Sequence, residues 1–180
     1  MSKIEIFLIA ISLSCDAFAV ALSKGLCSNK LKIKNSLIVG LYFGFFQAIM
    51  PIIGYHLSKG LGSYLIIYSH LIGFIILSLI GILMFTEKSE EGNDLYTFKI
   101  MLPLAIGTSI DALAIGVTFS LILDYIYKSA LLIGIVTFML SSIGVIIGYK
   151  IKNSVNIPAK KIGGIILILL GIKMLIEYLS

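Results

Sequence analysis

The sequence predicts an all-α integral membrane protein, with six transmembrane helices arranged as two inverted three-helix repeats. Hydrophobic residues make up 59% of the 180 residues and only 13% are charged, which is too little polar surface to cover a soluble domain of this size. Six apolar segments are each long enough to cross a hydrocarbon core of about 30 Å. The second half of the chain also repeats the pattern of the first half.

The six predicted spans occupy most of the chain and leave no segment for a soluble catalytic module, so we do not expect an enzyme. The chain forms one membrane domain, 1–180, with repeat halves of about 1–88 and 98–180 joined by a short acidic loop. We place the spans near residues 4–23, 36–57, 64–86, 99–122, 129–149 and 162–179.

The first span begins almost at the first residue and could be mistaken for a secretory or lipoprotein signal that ends before Cys15. Ser12 stands three residues before Cys15, where a lipoprotein signal has Leu. The apolar run also continues past Cys15 to Leu22. These two features favour an uncleaved first transmembrane helix.

The lysines predict the orientation in a bacterial plasma membrane. All 14 basic residues are Lys, and ten of them lie in the loops after spans 1, 3 and 5. By the positive-inside tendency these loops face the cytoplasm, so both termini face outward. The net charge of +5 therefore reflects membrane topology, and we expect no nucleic-acid partner. The remaining four lysines are Lys3, Lys59, Lys128 and Lys173.

An internal duplication underlies the inverted repeats. The sequence IIGY occurs at 52–55 and again at 146–149, so span 2 corresponds to span 5. The segments IGFIILSLIGILM at 72–84 and IGGIILILLGIKM at 162–174 agree at nine of thirteen positions, so span 3 corresponds to span 6. Because each half has three spans, the second half enters the membrane inverted. This architecture is typical of transporters, whose site lies between the halves near the midplane.

Glycine pairs at a spacing of four predict close helix packing in spans 2 and 5. Gly40 and Gly44 form one pair, and Gly144 and Gly148 form the other. The alternative is that glycine is simply common in membrane helices.

Two aspartates lie in matching apolar segments, Asp16 in SCDAFAVALSKG and Asp111 in SIDALAIGVTFS. An aspartate at mid-membrane costs about 2.5–3.5 kcal/mol on insertion scales. Keeping two of them at equivalent positions indicates a cation site, a proton relay or both. The alternative is a structural polar contact between helices.

Oxygen ligands surround these two aspartates in the predicted helices. Ser12 shares a helix face with Asp16, Thr108 shares one with Asp111, and Gln47 of span 2 adds a further oxygen. Such a set suits a hard divalent cation, Mn²⁺ or Mg²⁺, rather than Cu⁺ or Zn²⁺. We expect this ion to be transported, and we expect no resident cofactor.

Two glutamates at repeat-equivalent positions, Glu87 and Glu177, are candidate gate or vestibule residues at opposite membrane faces. Lys173 lies four residues before Glu177, so an ion pair at the helix end is the simpler interpretation of Glu177.

Several motifs together resemble the MntP family of bacterial manganese efflux pumps, within the wider LysE-type transporter group. They are SCDAFAV at 14–20, the glycines of span 2, PIIGY at 51–55 and TSIDALAIG at 108–116. The resemblance implies a six-helix plasma-membrane exporter of Mn²⁺ in which Asp16 and Asp111 are essential. Gln47 differs from the Glu that the family resemblance leads us to expect in this part of span 2.

Two protonatable aspartates also suggest how export could be driven, because outward-facing protonation of both would release the ion. We therefore expect exchange of Mn²⁺ for protons. Two alternatives remain: an exporter of another cation or of a small solute such as a basic amino acid, and a non-transporting membrane protein related to sporulation-associated proteins. The sequence does not predict the oligomeric state.

Overall fold

The computed structural model describes residues 3–28, 30, 33–86, 96–123, 126–154 and 159–179, and these residues are almost entirely helical. The predicted all-α membrane fold is confirmed at this level. The helices are α1 Lys3–Cys27, α2 Ile33–Thr86, α3 Phe98–Ile122, α4 Tyr127–Ser154 and α5 Ala159–Leu179.

Helix α2 contains the predicted spans 2 and 3 in a single element of 54 residues. It cannot be straight, because Gly54 lies against Leu113 of α3 and Leu77 lies against Gly107 of the same helix. In a straight helix Gly54 and Leu77 would be about 34 Å apart, whereas Gly107 and Leu113 are only about 9 Å apart.

The reversal of α2 centres on Gly60, whose φ of +112° lies in a region that L side chains rarely adopt. Apart from the adjacent residues and the nearby backbone of α2, no described atom lies within 4 Å of the place where a Cβ would be. We call residues 33–59 the first arm of α2 and residues 61–86 the second arm. The two arms correspond to the predicted spans 2 and 3, and helical turns continue on both sides of this one glycine without an extended loop.

The described residues include five helical stretches that are long and apolar enough to cross a membrane. A sixth, shorter apolar stretch, Tyr68–Leu83, lies in the second arm of α2. The chain is therefore a multi-pass membrane protein. The five long stretches are Ile4–Cys27, Ile33–Ser58, Phe98–Ile122, Tyr127–Lys152 and Lys161–Leu179.

Large apolar side chains cover the outside of the bundle. On α4, Leu131, Ile135 and Met139 are exposed at a spacing of four residues, whereas Ile133 and Thr137 are fully buried. An exposed apolar stripe of this kind matches lipid, which solvates it without cost. The buried polar side chains are therefore directed between helices.

Glycines bring the helices of the bundle into close contact. Gly40 lies against Phe138 of α4, and Gly44 lies against both Phe138 and Gly134. On the other side of α4, Gly148 lies against Leu22 of α1. A side chain at any of these glycines would have to displace a neighbouring helix. The first arm of α2 and helix α1 therefore both pack tightly against α4.

Candidate functional site

Asp16 lies in the middle of α1 with only 5% of its surface exposed, and both of its carboxylate oxygens accept hydrogen bonds from Lys173 of α5. The Nζ to Oδ distances are 2.9 and 2.8 Å. A buried carboxylate is stable only when it is paired and hydrogen-bonded. Lys173 supplies that partner from a position 157 residues away in the chain.

Asp111 lines a cavity of about 270 Å³ that lies between α1, α3, α5 and the second arm of α2. Its Oδ1 accepts a hydrogen bond from the backbone N–H of Ala112 at 2.9 Å. Among the described residues, no cationic nitrogen lies within salt-bridge distance of Asp111. The cavity is lined by Ser12, Leu13, His70, Asp111, Ala114, Ile115, Thr118, Lys173 and Glu177.

The two predicted aspartates belong to one electrostatic cluster. Asp111 is close enough to interact with the charges of both Asp16 and Lys173. Lys173 also lies 3.8 Å from Glu177, one helical turn further along α5. The cluster thus contains three carboxylates around one ammonium. With all four groups ionised it carries an excess of negative charge that a cation would compensate.

The predicted hydroxyl ligands differ in their surroundings. Ser12 is exposed and lines the cavity together with Asp111. Thr108 is fully buried, and its hydroxyl donates a hydrogen bond to the carbonyl oxygen of Leu104 at 2.9 Å. A hydroxyl that donates to its own helix keeps lone pairs with which to accept or coordinate. Thr118, seven residues after Asp111 and on the same face of α3, also lines the cavity.

Gln47 is fully buried in the first arm of α2, next to α1. Its Nε2 donates a hydrogen bond to the carbonyl oxygen of Leu13 at 3.0 Å. Its Oε1 is buried, and the described residues provide no hydrogen-bond donor for it. A buried amide oxygen without a donor is uncommon, because each such group costs about 1–3 kcal/mol. The amide of Gln47 therefore has a free acceptor oxygen and is bonded to α1 at Leu13, about one turn before Asp16.

Glu177 lies at the rim of the cavity, 3.8 Å from Lys173 and 3.8 Å from Nε2 of His70. The sequence predicted the contact with Lys173 but not the contact with His70. Its predicted repeat partner, Glu87, lies outside the described residues. The acidic loop that the sequence placed between the halves lies outside them as well.

Lys173 is the site residue that sequence reasoning missed. We counted it among the charges near a helix end, whereas it reaches Asp16 inside the bundle. One signal in the sequence could have identified it, because Lys173 stands where the repeat-equivalent position in the first half is Leu83. A charge that replaces an apolar residue within a repeated membrane helix indicates a buried partner.

The arrangement offers oxygen atoms of several kinds but is not a preformed cage of acidic and imidazole ligands. Within the described ranges, no group of three His, Cys, Asp or Glu side chains lies close enough to hold a metal ion. The candidate ligands are two aspartates, hydroxyl oxygens and an amide oxygen. Hard divalent ions prefer oxygen ligands of these types. One of the aspartates is bound to an ammonium in this structure.

Comparison with known proteins places the chain in a family. A family profile described as "Mntp: Putative manganese efflux pump" matches residues 30–175. No solved structure matches the chain.

Three curated relatives carry the name "Putative manganese efflux pump MntP". The protein from Desulfitobacterium hafniense is 46% identical, with 100% of this chain and 97% of the relative covered. The protein from Mannheimia succiniciproducens is 42% identical over 99% of this chain and 98% of the relative. The protein from Campylobacter jejuni is 45% identical over the same shares. Since the similarity extends over the full length of both partners, the chain belongs to the MntP family.

Proposed function

We propose that this protein exports Mn²⁺ from the cytoplasm in exchange for protons, and that Asp16 and Asp111 together form the ion site. The observation that carries the proposal is the cluster of these two aspartates on helices from different halves of the chain: Asp111 lines the cavity, and Asp16 binds Lys173, which lines the same cavity. Membership of a family whose curated members are named manganese efflux pumps supports the choice of ion.

The ligand chemistry supports a hard divalent ion. The cavity offers the Asp111 carboxylate and the hydroxyls of Ser12 and Thr118. Asp16 adds a second carboxylate once its ion pair opens, and the free Oε1 of Gln47 lies close to the same turn of α1. Mn²⁺ accepts carboxylate, carbonyl and water ligands, and water can complete the shell in a cavity of this size.

Export of a dication requires an energy source. Moving two charges outward against an inside-negative potential costs about 4.6 kcal/mol per 100 mV. Two carboxylates can couple this movement to protons, because protonation of both from the outside cancels the charge that holds the ion. Return of the two-proton form then resets the site. The exchange of one Mn²⁺ for two protons is electroneutral and is driven by the pH gradient.

The glycine contacts support the inverted-repeat architecture. Gly54 lies against Leu113 of α3, and its repeat counterpart Gly148 lies against Leu22 of α1. The first helix of each half therefore packs on the second span of the other half.

The contact between Gly44 and Phe138 supports the same architecture, because the repeat alignment makes these two residues counterparts of each other. Counterparts meet where a pseudo-two-fold axis passes between the halves. The two aspartates would be related by this axis, and the site would lie between the halves.

The position of the cavity supports a direction of release. Ser12 lies on the N-terminal side of Asp16 in α1, and Glu177 lies on the C-terminal side of Lys173 in α5. The cavity therefore extends from the aspartates toward the membrane face at which the chain begins and ends. With both termini outside, this cavity is the route by which the ion leaves.

One observation favours a second candidate function. Asp16 holds an ammonium group in this structure, so the site could bind the side chain of a basic amino acid such as lysine. The small volume and the narrow setting between helices favour the metal ion. The two functions differ in what accumulates in cells that lack the protein.

The proposal is tested by measuring the manganese content of a strain that lacks the gene, grown with added Mn²⁺. Complementation with the wild-type gene should lower the cellular Mn content several-fold and restore growth. Asp16→Asn and Asp111→Asn should each fail to do so while being inserted at normal abundance. Full rescue by both variants would contradict the site, and an unchanged Mn content together with accumulated lysine would favour the second candidate.

A further inference from the structure

Lys173 binds the carboxylate of Asp16 in the manner in which a metal ion would have to bind it. The ammonium contacts both carboxylate oxygens, at 2.9 and 2.8 Å, and the Asp16 side chain is only 7% exposed. Lys173 occupies the position between the two oxygens from which a dication would bind both of them, and its charge repels a second cation. Binding of Lys173 and binding of a dication at Asp16 therefore compete.

The Lys173 side chain has room to leave Asp16. It is 47% exposed and lines the same cavity as Asp111, whereas its partner is buried. Its ammonium lies 3.8 Å from Glu177, so a second carboxylate is within reach after a small change of rotamer. The four-carbon stem of a lysine is flexible enough for such a change. The charge therefore need not pass through an apolar region.

We propose that Lys173 is a tethered counter-cation that competes with the transported dication for Asp16 and moves toward Glu177 when the ion binds. This inference rests on the proposed function, because it assigns a role to a charge inside that ion site. The competition keeps Asp16 compensated during the part of the cycle in which no dication is bound. It also weakens ion binding and so speeds release.

A purely structural role would have different consequences. If Lys173 only joined α1 to α5, its loss would lower stability and would leave the intrinsic affinity for Mn²⁺ unchanged or weaker. If it competes, its loss must strengthen Mn²⁺ binding. A nearby opposite charge changes the proton affinity of a carboxylate by about 10- to 1,000-fold. We expect the affinity for a dication to change by at least about tenfold, because the ammonium repels a doubly charged ion more strongly than a singly charged proton at the same distance.

The test measures MnCl₂ binding to the purified full-length protein by isothermal titration calorimetry. Lys173→Gln keeps a donor for Asp16 but removes the charge, and Lys173→Met serves as a second neutral variant of similar length. Both should lower the Kd for Mn²⁺ at least about tenfold relative to wild type. In vesicle flux both should lower KM and kcat together, because the ion is held longer. Lys161→Met, a matched change about 18 Å away along α5, should leave Kd and flux unchanged.

A double-variant comparison separates competition at Asp16 from an indirect effect. In an Asp16→Asn background, Lys173→Gln should no longer strengthen Mn²⁺ binding, because the contested carboxylate is absent. Folded Lys173→Gln protein with unchanged or weaker Mn²⁺ affinity would overturn the inference while leaving the proposed function intact. Wild-type protein that shows neither Mn²⁺ binding nor flux would overturn both.

Discussion

Asp16 and Asp111 occupy matching positions in the sequence but different environments in the molecule. Asp16 is buried and held by two short contacts to Lys173, whereas Asp111 faces a cavity and accepts only a backbone N–H bond among the described contacts. An ion that leaves through the cavity therefore passes from Asp16 to Asp111. At the residue scale, we propose that Asp111 makes the last contact with the ion before release.

Replacement of Asp111 by Asn should abolish Mn²⁺ transport without preventing folding. The amide has nearly the same shape, and its oxygen can still accept the N–H of Ala112, but it provides neither a charge for a dication nor a site for a proton. We expect the initial rate of Mn²⁺ flux in proteoliposomes to fall by at least about tenfold.

Ser109 offers a matched control on the same helix. Its hydroxyl is fully buried, with no hydrogen-bond partner among the described residues, and it does not line the cavity. Ser109→Ala removes an unsatisfied polar group, so stability should be unchanged or slightly higher and flux should stay within about twofold of wild type. If Asp111→Asn and Ser109→Ala had equal flux, Asp111 would not belong to the site.

Sequence reasoning found the two aspartates but not Lys173, and the reason is physical. A carboxylate in an apolar repeat is conspicuous because insertion of an unpaired charge is costly. A lysine near a helix end is expected to extend to the membrane surface, so its position alone says little. Its partner lies on the first helix, 157 residues away, and only the packing of α5 against α1 brings the two together.

At the scale of the element, α2 depends on one glycine for its change of direction. The six apolar segments were predictable from length and hydropathy. The continuity of spans 2 and 3 in one helical element was not predictable, because the residues between them, SKGLGS, resemble an ordinary loop. The reversal relies on the positive φ of Gly60. A glycine can adopt this conformation, but its presence in the sequence does not show that it does so.

Gly60→Ala should therefore destabilise the protein, although glycine to alanine changes inside helices usually stabilise by about 0.5–1 kcal/mol. At φ +112° the new side chain would strain the backbone by about 1–3 kcal/mol. It would meet no atom of another helix among the described residues within 4 Å. We expect a lower midpoint of thermal unfolding in detergent. A higher midpoint would mean that the chain does not reverse at Gly60.

Gly148→Val tests the contact between α1 and α4. A Cβ at this position would collide with the carbonyl oxygen of Leu22 and would come within 2.9 Å of the backbone nitrogen of Leu26. Overpacking of this kind costs about 1–3 kcal/mol and sometimes more, so the thermal midpoint should fall and transport should weaken.

Ile147 is adjacent to Gly148 but exposed on the outside of α4, so Ile147→Val serves as the control. Its side chain faces the lipid side, and the loss of one methyl group there should leave both measurements close to wild type. Equal loss of stability in the two variants would argue against close packing of α1 on α4 at Gly148.

At the scale of the whole molecule, the apolar surface, the helices and the family membership agree on a multi-pass membrane protein. Orientation is a separate matter, since lysines in loops indicate it only statistically. The orientation decides the function of the cavity, because the proposed release route ends at the membrane face that carries both termini.

Alkaline phosphatase fused after Ser180 tests the orientation, because this enzyme is active only outside the cytoplasm. We expect high activity for this fusion and low activity for a fusion in the acidic loop between α2 and α3. Both fusions place the reporter after a whole number of spans, so each activity reports one face of the membrane. The reverse pattern would place the cavity on the cytoplasmic side and would make it a route of uptake into the site.

The central claim is that Mn²⁺ leaves in exchange for protons bound by Asp16 and Asp111. The most direct test uses proteoliposomes loaded with Mn²⁺, with the membrane voltage clamped at zero and the outside made one pH unit more acidic. Exchange of one Mn²⁺ for two protons predicts rapid Mn²⁺ exit toward an outside excess of about 100-fold at equilibrium, and no such exit with Asp111→Asn. If the distribution of Mn²⁺ across proteoliposomes with the wild-type protein did not depend on the pH gradient, the account would be contradicted.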